Sequence, residues 1–109
     1  MRIVFIGTPE FAVASLESLI NSNKNIVGVI TAPDKPAGRG KKLQGSAVKD
    51  CALKNNLNLM QPTNLKDERF LSELKALNAD LHIVVAFRML PDSVWNMPKL
   101  GTFNLHGSL

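Results

Sequence analysis

Two side chains near the end of the chain have the types and the spacing to share one reaction. Asn104 and His106 stand two residues apart in "NLHGSL". In an extended strand, residues i and i+2 point to the same face, about 6.6 Å apart along the chain. A carboxamide and an imidazole on one face can both donate to a developing oxyanion, and the imidazole can also move a proton near neutral pH. Phe103 and Leu105 then point the other way and are expected in the core. The spacing is a weak signal by itself, and on that ground alone a structural role for the pair weighs more. His82, inside "LHIVVAF", has no polar partner in its strand and reads as structural. Ser108 lacks the flanking pattern of a nucleophile elbow.

The elements that must position such a pair alternate along the chain. "RIVFI" (Arg2–Ile6) is a β-branched and aromatic run of buried-strand type. Gly7 ends it, and Thr8 is placed to cap a helix whose first position is Pro9. Ala12, Leu16, Leu19 and Ile20 recur at helical spacing. Asn25–Thr31 reads as a second strand, and Ala32–Gly45, with two prolines, three glycines and no apolar period, as a long loop. Ser46 is a cap for a helix running to about Asn55. Leu57–Met60 is a short strand. Phe70, Leu74 and Leu77 give the next helix its buried face, with Asn78 at its end. Leu81–Phe87 is a strand, Met89–Pro98 a turn-rich stretch with room for one helical turn, and Gly101–His106 a last strand. Strand and helix in alternation mean βαβ units around a mostly parallel sheet. The expected class is therefore α/β, a Rossmann-like three-layer αβα sandwich. In such sheets ligands lie beyond the carboxyl ends of the strands, and the unusual residues gather on that rim.

Bulk properties narrow the classes. The 109 residues suit one domain, and a hydrophobic share of 45% suits a globular chain. No apolar run is long enough for a membrane span, and Gly7–Glu10 interrupts the N-terminal run before a signal-peptide core forms. Cys51 is the single cysteine, so an internal disulfide and a cysteine-based zinc site are excluded, and a reducing cytoplasm is the expected location. Gly7-Thr8-Pro9-Glu10 is neither a dinucleotide fingerprint nor a P-loop. The net charge is +4, and its excess lies between Asp34 and Lys54, where six basic residues face two acidic ones. A basic cluster on an otherwise neutral chain suits a polyanionic partner, although composition alone favours a solvated lysine-rich loop.

The opening "RIVFIGTPEFA", the loop "APDKPAGRGKKLQGSAVK" and the segment "VVAFRMLPDSVWNMPKLGTFNLHGSL" together resemble the N-terminal part of the methionyl-tRNA formyltransferase family, over the whole chain. The resemblance implies a formyltransferase fold, here incomplete. It implies transfer of a formyl group from the co-substrate 10-formyltetrahydrofolate to the α-amino group of methionyl-initiator tRNA, with no metal. It places the family's catalytic residues on Asn104 and His106. It puts the backbone that holds the pterin at Phe87, Arg88, Met89 and Leu90, where "AFRML" departs from the "AYG" type common in the subfamily. It assigns the tRNA acceptor end to Arg39, Lys41 and Lys42, with Arg39 foremost. The family's third catalytic residue is an aspartate downstream of the last segment. Residues 1–109 are accordingly expected to be the N-terminal portion of a catalytic domain, without the C-terminal tRNA-binding domain and inactive alone. The full-length enzyme is expected to be a monomer, and the fragment to be prone to self-association. Two other readings are weighed beside this one. One is a related 10-formyltetrahydrofolate-dependent enzyme acting on a small amine. The other is a non-catalytic Rossmann-like module that binds a nucleotide or RNA.

Overall fold

The structure, a computed structural model, describes residues 1–40 and 42–105. Eleven elements follow one another among these residues: β1 (Arg2–Gly7), α1 (Glu10–Asn21), β2 (Asn25–Ile30), β3 (Lys35–Ala37), β4 (Lys42–Gln44), α2 (Ala47–Lys54), β5 (Leu59–Met60), α3 (Glu68–Ala76), β6 (Leu81–Val85), α4 (Asp92–Trp95) and β7 (Thr102–Asn104). Five strands form a parallel sheet in the order β5-β2-β1-β6-β7. Successive strands run outward from β1 on one side and then on the other, so the order reverses between β1 and β6. This is the expected Rossmann-like α/β architecture.

Side-chain alternation divides the core into two layers. Ile3 and Phe5 of β1, Val29 of β2, and Ile83 and Val85 of β6 pack against Ala12 and Leu16 of α1 and Val48, Cys51 and Ala52 of α2. Val4, Ile6, Ile30 and Val84 face the opposite way, onto Phe70 and Leu74 of α3 and Val94 of α4. Strands buried on both faces carry continuous apolar runs, which is why "RIVFI" and "HIVV" lack polar alternation.

Three expectations need correction. Pro9, not Thr8, occupies the cap of α1, and helical residues begin at Glu10. The Thr8 hydroxyl is engaged elsewhere, accepting the Ala32 N–H at 3.2 Å. The stretch 32–45 is not irregular throughout: β3 and β4 pair antiparallel, and Gly38 and Gly40 take positive φ in the turn between them. Its strands are three residues each and exposed, so backbone pairing forms the hairpin without any apolar period to announce it. Phe103 and Leu105 are not core. They are 58% and 48% exposed, because the α1/α2 layer covers β1, β2 and β6 and does not extend over β7.

Candidate active site

The reversal in strand order opens a cleft at the carboxyl rim. Gly7, the last residue of β1, lies against β6 so closely that a Cβ there would sit 2.7 Å from the Val85 carbonyl oxygen. Any side chain at Gly7 would push the two central strands apart at the point where a ligand would enter. Beyond this contact Thr8, Ala32, Pro33, Asp34, Lys35, Ala86, Phe87 and Arg88 line a cleft of about 670 Å³. Its lining is mostly apolar, and its charged members are Asp34, Lys35 and Arg88. The volume is that of a site for a small organic molecule.

Ala86 shapes this rim in a way its identity does not advertise. Its φ is 53°, in the left-handed region that L-residues other than asparagine, aspartate and histidine seldom enter. The turn redirects the chain out of β6. Phe87 is half-buried against the α3/α4 layer, while Met89 is almost fully exposed. Arg88 is held by its own neighbours. Its guanidinium donates to the carbonyls of Pro62 and Thr63 at 2.9 and 3.2 Å and lies 4.9 Å above the Phe87 ring. Arg88, Met89 and Leu90 line a second groove of about 480 Å³ with residues Thr63–Lys66. The segment Phe87–Leu90 thus borders two adjoining hollows, and Arg88 forms the wall between them.

Asn104 ends β7 at the same carboxyl rim, and it lines neither of these two hollows. Its register with Val84 puts it on the α3/α4 face, the layer that Phe87 and Leu90 join, and its side chain is exposed. The Leu105 N–H donates to the Val84 carbonyl at 2.7 Å and carries the pairing one residue further. An exposed carboxamide at the carboxyl end of a strand is a ready hydrogen-bond donor to a ligand on the rim. His106 and Lys41 lie outside the described residues. Among the described residues no group of three or more His, Cys, Asp or Glu side chains could hold a metal ion, and no helix is long and apolar enough to cross a membrane.

His82 is far from such a role. It is fully buried in the α3/α4 layer beside Val84, and neither ring nitrogen makes a hydrogen bond of ordinary geometry. Burial pushes its pKa down to about 4, and the nearby Val94 backbone only partly opposes this. It is a neutral core residue.

The basic stretch divides into exposed and paired members. Lys35, Arg39 and Lys42 are exposed on the hairpin, Arg39 at its turn between Gly38 and Gly40. Lys49 is instead bound to Asp34 at 2.7 Å, and the Gln61 amide donates to the same carboxylate at 2.8 Å. The hydrogen bonds from Lys49 and then Gln61 hold the Asp34 carboxyl below its usual pKa despite some desolvation. Residues spaced across the sequence build this cluster, and composition gave no signal for it.

Comparison with known proteins places this geometry among relatives. A family described as formyl transferase matches residues 1–109. Methionyl-tRNA formyltransferase from Flavobacterium johnsoniae is 71% identical over 109 residues, which are 100% of this chain and 35% of that protein. The proteins of the same name from Flavobacterium psychrophilum and Bacteroides thetaiotaomicron are 70% and 63% identical, again over 100% of this chain and 35% and 34% of their own lengths. The chain therefore spans about a third of the length of these curated relatives.

Proposed function

Because the chain belongs to the formyl transferase family, we propose that it supplies the donor site and part of the reaction centre of a cytoplasmic enzyme. That enzyme moves a formyl group from 10-formyltetrahydrofolate to the amino group of methionyl-initiator tRNA. What supports this reading is that Asn104, the Phe87–Leu90 segment and the switch-point cleft all lie at the carboxyl ends of the parallel strands.

The pterin is held along Phe87–Leu90, whose turn leaves backbone groups beside the apolar walls a flat heterocycle requires. The acceptor amine attacks the formyl carbon. A C–N bond forms and the carbonyl oxygen takes up negative charge. Asn104 donates to that oxygen, and His106 shares the charge and passes the proton lost by the amine towards N10 of the departing folate. The bond from carbon to N10 then breaks. Arg39, Lys41 and Lys42 take the phosphates of the acceptor stem, a contact that favours RNA without reading its sequence. No metal enters the scheme. A small-amine acceptor is the weaker reading, because such a substrate has no use for a cationic hairpin beside the cleft.

The test is transfer from 10-formyltetrahydrofolate to methionyl-tRNA by a polypeptide of the relatives' length that carries these residues. Asn104→Ala should lower kcat by roughly 10²- to 10³-fold, the effect of losing one oxyanion donor, with little change in either KM. A parent protein that transfers nothing, or an Asn104→Ala protein as fast as its parent, overturns the reading.

A further inference from the structure

The basic hairpin leaves the sheet through two roots, the outgoing Thr31–Asp34 and the returning Gly45–Lys49, and the roots are tied to each other twice. The Thr31 and Ser46 hydroxyls lie 2.6 Å apart, with Thr31 fully buried. The Lys49 ammonium donates to both Asp34 carboxylate oxygens, at 3.0 and 2.7 Å. Both ties join residues fifteen apart, so they close the arm at its base. Three further bonds fix the outgoing root to the body. Gln61, just beyond β5, donates to the Ala32 carbonyl at 3.2 Å and to Asp34 at 2.8 Å, and Ala32 donates to Thr8. Asp34 receives both a cation from α2 and an amide from the sheet edge, and it is the last residue before β3.

Gly45 supports the same conclusion independently. A Cβ at this position would stand 2.5 Å from Cδ of Lys49 and 3.0 Å from Oδ1 of Asp34. Its φ is not in the positive range, so the backbone does not ask for glycine here. What uses the missing side chain is the Lys49 stem on its way to Asp34.

We propose that Asp34 is the positioning residue of the basic hairpin: its bonds to Lys49 and Gln61 set the direction in which Arg39 and Lys42 are presented, and Lys49 belongs to this clamp and not to the RNA-binding surface. The account of the arm rests on geometry alone; its consequence for the acceptor rests on the reading given above. An arm free at its root spends only part of its time in the binding direction, and apparent affinity falls by that fraction.

The experiment uses the polypeptide of the relatives' length and the variants Asp34→Ala, Gly45→Ala and Lys49→Gln, with the exchange Asp34→Lys plus Lys49→Asp. A competent fraction near one tenth raises KM for methionyl-tRNA about tenfold, while KM for 10-formyltetrahydrofolate stays at the parent value. The freed arm is also cut faster by trypsin after Arg39, at an unchanged melting temperature. The exchange restores most of both readouts, because it re-forms the ion pair between the two roots with its polarity reversed, and the shortfall is the share of Gln61, whose amide cannot serve a lysine at position 34 and the Ala32 carbonyl together. Lys49→Gln leaves the salt dependence of tRNA use as it is, whereas Arg39→Ala lowers its slope by about one. The proposal is overturned if Asp34→Ala and Gly45→Ala leave tRNA KM and cleavage alone, if the exchange rescues neither, or if Lys49→Gln flattens the salt slope as Arg39→Ala does. Faster cleavage in the variants of a parent that transfers nothing to methionyl-tRNA would leave the clamp standing and remove the acceptor reading.

Discussion

At the scale of the residue, one histidine and one alanine mark the range of what letters convey. His82 sits in an apolar strand run, and the absence of a partner in that run already pointed to a structural role. The cost of its burial is legible only in the structure. The unfolded chain titrates this ring near 6.5 and the folded one near 4, so between these values the unfolded state binds the extra proton. Stability therefore falls as pH drops through that window, by roughly 3 kcal/mol in all, and is fully present above 6.5. Urea unfolding at pH 7 and pH 4.5 should expose this loss, and His82→Leu should remove most of it. Identical pH dependence in the two proteins would contradict the assignment. Ala86 is the opposite case. Nothing in its type suggests a left-handed turn at the cleft, and only the path out of β6 imposes one.

At the scale of the element, a cap was legible and its second partner was not. Ser46 reads as the start of a helix, and its hydroxyl does accept the Lys49 N–H at 3.0 Å at the start of α2. The same oxygen lies 2.6 Å from the hydroxyl of Thr31, which is fully buried. Loss of a cap costs about 1 kcal/mol, and a buried hydroxyl left without a partner adds about 1–3 kcal/mol. Ser46→Ala should thus destabilise by roughly 2–4 kcal/mol, and a double-mutant cycle with Thr31→Val should show coupling of about 1 kcal/mol. A cost no greater than that of the cap alone, with no coupling, would mean that the two hydroxyls ignore each other. The hairpin β3–β4 escaped the sequence reading for a related reason. Its pairing is made of backbone bonds between exposed residues, and side-chain periodicity reports burial, not pairing.

At the scale of the whole molecule, the sheet is unevenly covered. Phe103 and Leu105 alternate on one face of β7 and both are exposed, although an apolar alternation in a last strand reads as core. Exposed apolar side chains on a strand that pairs with only one neighbour among the described residues are a template for association. The polypeptide of residues 1–109 by itself should therefore show a sedimentation mass that rises with concentration. Phe103→Lys with Leu105→Lys should return it towards the monomer. A parent that stays monomeric at about 100 μM, well within the range where exposed apolar edges associate, would refute this.

The sequence by itself determined the layering: apolar runs for buried strands, helical spacing for the two covering layers, and the carboxyl ends of the strands for Asn104 and the Phe87–Leu90 segment. Those follow from local periodicity, which a chain carries in its letters. Only the tertiary structure decided which residues meet. Asp34 finds Lys49 and Gln61 across fifteen and twenty-seven positions, Gly7 is pressed against Val85, and Arg88 divides two hollows by binding Pro62 and Thr63. Such contacts are fixed by the order of strands in the sheet, and neighbouring strands there are distant in the chain.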